Sequence, residues 1–130
     1  MLIDTHCHLD APEFAQDREQ VIERARVAGV RSIVVPSVGV FDFQAARETA
    51  MAAPGGVYAL GIHPLFTPEA GAVDLEALEQ EIQLRLDDPR FVALGEIGLD
   101  YFVPELKTEE ASRHQEWLYE AQFAMAQRYG

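Results

Sequence analysis

Four times in succession, a short apolar run rich in β-branched residues gives way to a longer stretch with helical periodicity. The runs are Leu2–His6, Ser32–Pro36, Val57–Ile62 and Phe91–Leu94. Strict alternation of this kind predicts a parallel sheet whose strands are joined by right-handed helical crossovers. After the first run, Asp17 is placed as a helix N-cap with Gln20 three residues on, and Gly29 as the C-terminal stop. Val21, Ile22, Ala25 and Ala28 line the face between them. The second helix follows Asp42, with Phe43, Ala46, Ala50 and Ala53 on one stripe. The third begins at Asp74 and turns Leu75, Leu78, Ile82 and Leu86 inward. Thr108 caps the last, whose apolar stripe is Trp117, Leu118, Ala121, Ala124 and Met125.

The spacing of these units separates two versions of α/β architecture. An eight-unit barrel uses ~31 residues per unit, and 130 residues divided over four units is about 32. No glycine-rich turn follows the first strand, which argues against a dinucleotide-binding sheet. The expected fold class is therefore α/β, with four βα units on a parallel sheet, the N-terminal half of a TIM (β/α)8 barrel. Residues 1–130 form one domain in this reading, truncated at the middle of the barrel.

Composition narrows the function. With 48% hydrophobic and 25% charged residues the chain can build a core and is far from the disordered regime. One cysteine excludes an internal disulfide and an all-cysteine metal site, and the absence of Asn excludes an N-glycosylation sequon. Neither a leader nor an apolar run of membrane-spanning length is present, so a cytoplasmic setting without membrane contact is expected. A net charge of −12 repels phosphate backbones and rules against a broad nucleic-acid platform. It leaves room for a small pocket whose positive charge comes from metal ions.

Unusual residues collect at the C-terminal ends of the strands, where a parallel barrel builds its active site. Asp4, His6 and His8 stand at alternate positions and so point to one side of an extended chain. Two imidazoles so placed can converge on one cation, and imidazole suits Zn, Mn, Fe or Ni. His63, in LGIHP, ends the third strand, either packed against Pro64 or gripping substrate. Glu96 ends the fourth between Gly95 and Gly98, where a carboxylate can bridge two metal ions. Cys7, out of phase with the histidines, is expected to pack between sheet and helix. His114 is assigned to the surface, Trp117 and Met125 to the core, and Glu76, Glu79 and Glu81 to a solvated face. Asp100 and Tyr101 either contact substrate or order the loop that carries them.

Three segments together, IDTHCHLD, GIHP and GEIGLDY in that order, make the chain resemble the TatD family of metal-dependent deoxyribonucleases, which are amidohydrolase-like TIM barrels. The resemblance implies His6 and His8 as ligands of one divalent metal, Glu96 as the bridge to a second, and His63 near the substrate phosphate. It implies two divalent ions, with Mg expected and Mn, Zn or Co also accommodated, and DNA or another phosphodiester as substrate. The family's remaining ligands follow later strands, so the 130-residue chain is expected to be inactive alone. Two alternatives stand beside this reading. One is a metal-dependent hydrolase of small esters, amides or lactones on the same barrel. The other is a non-catalytic half-barrel that dimerises through its exposed sheet edges or needs a partner.

Overall fold

A computed structural model describes residues 2–130. The elements run β1 (Leu2–Asp4), α1 (Arg18–Val27), β2 (Val30–Pro36), α2 (Phe43–Ala52), β3 (Gly56–Leu60), α3 (Ala72–Arg85), β4 (Phe91–Leu94) and α4 (Glu109–Tyr129). Short 3-10 turns occupy four of the connections. The sheet has the order β1-β2-β3-β4 and every neighbouring pair is parallel. Four βα units in sequence order, each strand beside the next, are the half-barrel arrangement that the alternation predicts.

Burial explains why the runs become strands. Val35, Tyr58 and Leu60 are fully buried on the two central strands, packed with Ala46 and Ala50 of α2 and Leu78 and Ile82 of α3. The edge strands differ. Leu2 and Ile3 on β1 and Val92 on β4 are each at least half exposed, because one side of each of these strands is unpaired. The turn from α2 into β3 needs glycine at position 55. Its φ is +70°, and a Cβ there would lie 2.0 Å from the Arg31 carbonyl oxygen.

Several local expectations are corrected. Helix α3 starts at Ala72 rather than at Asp74; Asp74 is its third residue, and its carboxylate accepts from the Gly71 backbone N–H at 2.8 Å. Asp17 does precede α1, but its side chain makes no capping bond and instead pairs with Arg24 at 3.3 Å. Leu86 lies beyond the end of α3 and is half exposed. Thr108 caps α4 as expected, accepting from Ala111 N–H at 3.1 Å. Along α4 the buried stripe is Gln115, Leu118, Gln122 and Met125, while Trp117 is 43% exposed and Ala124 faces out. Two glutamines hold inward positions there, which turns Trp117 toward solvent, tilted against the His114 ring at 5.5 Å between ring centres.

Candidate metal centre

The chain remains paired past the formal end of β1, since Cys7 N–H donates to the Val34 carbonyl at 3.0 Å. His6 and His8 flank this pinned residue and present their rings on the same side. Cys7 itself packs against the core, as expected, and burial pushes its thiol up. Asp4 does a different job: its carboxylate accepts from His6 backbone N–H at 3.2 Å.

Glu96 is placed by backbone lacing. Gly95 N–H donates to the Leu60 carbonyl at 2.8 Å, and Glu96 N–H to the Ser37 carbonyl at 3.1 Å. The fully buried Ser37 hydroxyl accepts from Gly61 N–H at 2.9 Å. The ends of β2, β3 and β4 are thereby tied to one another directly behind the carboxylate. Gly61 permits the approach, since a Cβ there would lie 2.8 Å from the Gly95 carbonyl carbon.

The side chains then meet. Glu96 Oε2 lies 3.1 Å from His6 Nε2 and 3.3 Å from His8 Nε2, and the two nitrogens are 3.2 Å apart. With bonds of about 2.1 Å, neighbouring ligand atoms around a cation sit ~3.0 Å apart in an octahedron and ~3.4 Å apart in a tetrahedron. The three edges of this triangle fall between those values. Glu96 Oε2 is also buried without a satisfactory hydrogen bond. A carboxylate oxygen in that position is unfavourable by itself, and a cation shared with two imidazole nitrogens would satisfy it. The residues present fit a divalent metal.

His63 joins from the other side, with Nε2 3.2 Å from Glu96 Oε1. Its Nδ1 accepts from Leu65 backbone N–H at 3.1 Å, which assigns the proton of a neutral ring to Nε2. The imidazole is therefore held as a donor aimed into the site. All four residues singled out in the sequence come together at the mouth of the sheet.

The surrounding assignments are mixed. His114 is not a free surface residue; its ring nitrogen lies 2.8 Å from the Ala70 carbonyl and docks α4 on the loop after β3. Glu79 and Glu81 are partly shielded by Arg128 and Arg85, whereas Glu76 is exposed. Two residues that sequence reasoning passed over, Gln115 and Gln122, brace the site. Gln122 accepts from Ile62 N–H at 2.7 Å and donates to the Ile62 carbonyl at 3.2 Å, next to His63. Gln115 makes the same pair of bonds to the backbone of Asp100, at 3.0 and 2.9 Å. Their signal is the 115–118–122–125 spacing on one helical face. Asp10, two residues past His8, keeps one buried, unpartnered oxygen, and burial pushes its carboxyl up.

Asp100 and Tyr101 order their loop. The Asp100 carboxylate accepts from Phe102 and Val103 N–H at 2.7 and 3.0 Å, and the Tyr101 hydroxyl donates to Glu116 at 2.7 Å. The bonds from Val103 and Phe102 hold the Asp100 carboxyl below the usual carboxylate range. Its ordering effect is therefore complete above the free carboxylate value of about 4 and drains away as pH falls through the lowered one. The backbone amides of Phe102 and Val103, which donate to this carboxylate, report on the loop, and their NMR resonances are expected to stay flat from neutrality to about pH 5 and to change only below about pH 4. A transition centred above pH 5 would assign control of the loop to another group.

The model of TatD related DNases matches residues 3–130. The chain is 39% identical over 127 residues to an uncharacterized metal-dependent hydrolase, YjjV, of Escherichia coli, covering 98% of this chain and 47% of that protein. The crystal structure of the TatD homologue YjjV superposes with a TM-score of 0.82 at 38% identity, again over 98% of this chain and 47% of that one. A 3'-5' ssDNA/RNA exonuclease TatD of Pantoea vagans is 30% identical over 126 residues, with coverages of 96% and 45%. The chain spans about half the length of the curated relatives it matches.

Proposed function

We propose that this chain, which belongs to the TatD family of related DNases, carries the first half of a two-metal phosphodiesterase site. The observation that carries this reading is the His6–His8–Glu96 triangle with its unsatisfied carboxylate oxygen. His6, His8 and Glu96 would hold a divalent ion, with the Glu96 carboxylate shared toward a second. His63, fixed as an Nε2–H donor, orients a phosphate oxygen of the substrate. Bound there, divalent ions would activate a water and neutralise charge developing on the phosphate during an in-line displacement. The substrate is DNA, taken as a single strand or an end, because a chain of net charge −12 has no use for a long basic groove. Mg is the proposed physiological ion, with Mn, Zn or Co as substitutes.

The competing reading, hydrolysis of small esters or lactones, uses the same ligands and is separated by substrate class. Mn2+ bound to the chain is a paramagnetic probe for this. Addition of bis-p-nitrophenyl phosphate is expected to change its resonance spectrum, and a simple lactone to leave it unchanged. The reverse result overturns the phosphodiesterase assignment. Cleavage of DNA by the 130-residue chain that survives Glu96→Ala would contradict the two-metal account.

A further inference from the structure

Phe41 and Phe66 are exposed where exposure serves no packing purpose. Phe41 lies in the turn Val40–Asp42 after β2 and Phe66 in the turn Pro64–Glu69 after β3, both at the end of the sheet that bears the metal centre. They are 72% and 38% exposed, and their ring centres are 5.3 Å apart at an interplanar angle of 59°. Phe66 in turn meets the His63 ring edge-on at 6.3 Å, and His63 faces Glu96. The aromatic surface is thus continuous with the site, running outward from the carboxylate through His63 to Phe66 and Phe41.

The platform is also held still. The Phe41 ring lies against the backbone of Gly39, where a Cβ would come within 2.6 Å of ring atom Cε1. Below it the Asp42 carboxylate accepts from Val38 and Gly39 N–H at 2.9 and 3.1 Å, closing the turn. Under Phe66, Thr67 donates its hydroxyl proton to the Pro64 carbonyl at 2.6 Å, and Phe66 N–H donates to the His63 carbonyl at 2.9 Å. Aromatic faces fixed before binding lose little freedom on contact.

Charge decides what such a platform can hold. Six of the nine arginines are ion-paired to carboxylates, and Arg18 and Arg90 donate to backbone carbonyls. Arg31 remains, at the start of β2 and so at the opposite end of the sheet. The one lysine, Lys107, lies 5.8 Å from the centre of the Phe102 ring. A nucleic-acid strand reaching the metal centre therefore finds little free positive charge beside it. Its bases, however, find π-faces, and base–aromatic stacking is indifferent to sequence and to the sign of the surface.

We propose that Phe41 and Phe66 form a base-stacking platform that holds an unpaired nucleobase of a single-stranded substrate beside His63. The inference rests on the phosphodiesterase reading and supplies its substrate grip. A stacked base anchors the strand by a contact that a net negative protein does not repel, leaving the adjoining phosphate for the metal centre.

The test compares fluorescence anisotropy of a labelled five-residue oligothymidylate with that of an abasic oligonucleotide of equal length, with and without Mn2+, on the whole chain. The parent is expected to prefer the thymidylate by about ten-fold or more. Phe66→Leu and Phe41→Ala/Phe66→Ala should bring that ratio close to one without lowering the melting temperature, and Phe66→Trp should restore it. Glu96→Gln is expected to weaken Mn2+ binding by at least about 100-fold and keep the preference. Equal binding of the two oligonucleotides by the parent, no binding of either, or a ratio unchanged in the double variant overturns the platform. An unchanged ratio accompanied by a shift in light scattering would reassign the patch to contact between copies. Failure to bind Mn2+ with the preference intact would overturn the metal reading and leave the platform standing.

Discussion

Glu96→Gln is expected to weaken binding of Mn2+ or Zn2+ to the chain by at least about 100-fold, measured by titration calorimetry. Changing a group that merely orients a ligand costs 10- to 100-fold in metal affinity, by general experience, and removal of a ligand should exceed that. The amide retains an oxygen of similar size but loses the charge that the two imidazoles face across 3.1 and 3.3 Å. Stability supplies a second readout with opposite signs in the two states. Without metal the parent keeps a buried carboxylate oxygen that receives no hydrogen bond, so the variant should melt at the same temperature or slightly higher. With metal at about 100 times its dissociation constant the parent gains ~2.7 kcal/mol, and the variant should show almost none of that gain. An undiminished metal-induced rise in melting temperature for the variant would remove Glu96 from the ligand set. His63→Ala is the companion: its Nδ1 is engaged by Leu65 N–H, so the ring is a donor to the site, and its loss should leave most of the metal affinity intact.

The parts of this molecule that were legible in the sequence are those where side-chain identity and position both point the same way. Phe91–Leu94 is a strand at the residues where the apolar run stands. His6, His8, His63 and Glu96 were recognisable because each is a chemically unusual residue at the end of such a run, and the sheet brings all four within reach. What was hidden is the bracing. Ser37 carries no periodic signal, yet its hydroxyl and carbonyl join the ends of β2, β3 and β4. Gln115 and Gln122 look like solvated helix positions, and an apolar stripe drawn without them rotates α4 and turns Trp117 inward. Polar residues can face a core when their amides are fully satisfied by backbone groups, and composition does not reveal where such partners lie. Asp100 and Tyr101 were undecided for the same reason: only the loop's own N–H groups and Glu116 show that both side chains are engaged locally.

Gln122→Leu is expected to be among the most damaging single substitutions away from His6, His8 and Glu96. Leucine preserves the approximate volume but strips Ile62 of both its partners, an acceptor at 2.7 Å and a donor at 3.2 Å, at a position with no access to water. Each buried backbone group left unsatisfied costs about 1–3 kcal/mol, so for the two groups a loss of ~2–6 kcal/mol and a fall in melting temperature on the order of 10 °C or more should follow. Gln122→Glu separates the bonds. A carboxylate can still accept from Ile62 N–H but turns a second oxygen toward the Ile62 carbonyl, in surroundings that penalise its charge. The acid form restores a donor, so this variant should recover stability on acidification to about pH 4, whereas the leucine variant should not. Because Ile62 directly precedes His63, loosening it should also displace the imidazole that faces Glu96, visible as a changed His63 ring resonance in each variant. Melting within about 2 °C of the parent for Gln122→Leu would show that water reaches Ile62 and that the clamp contributes nothing.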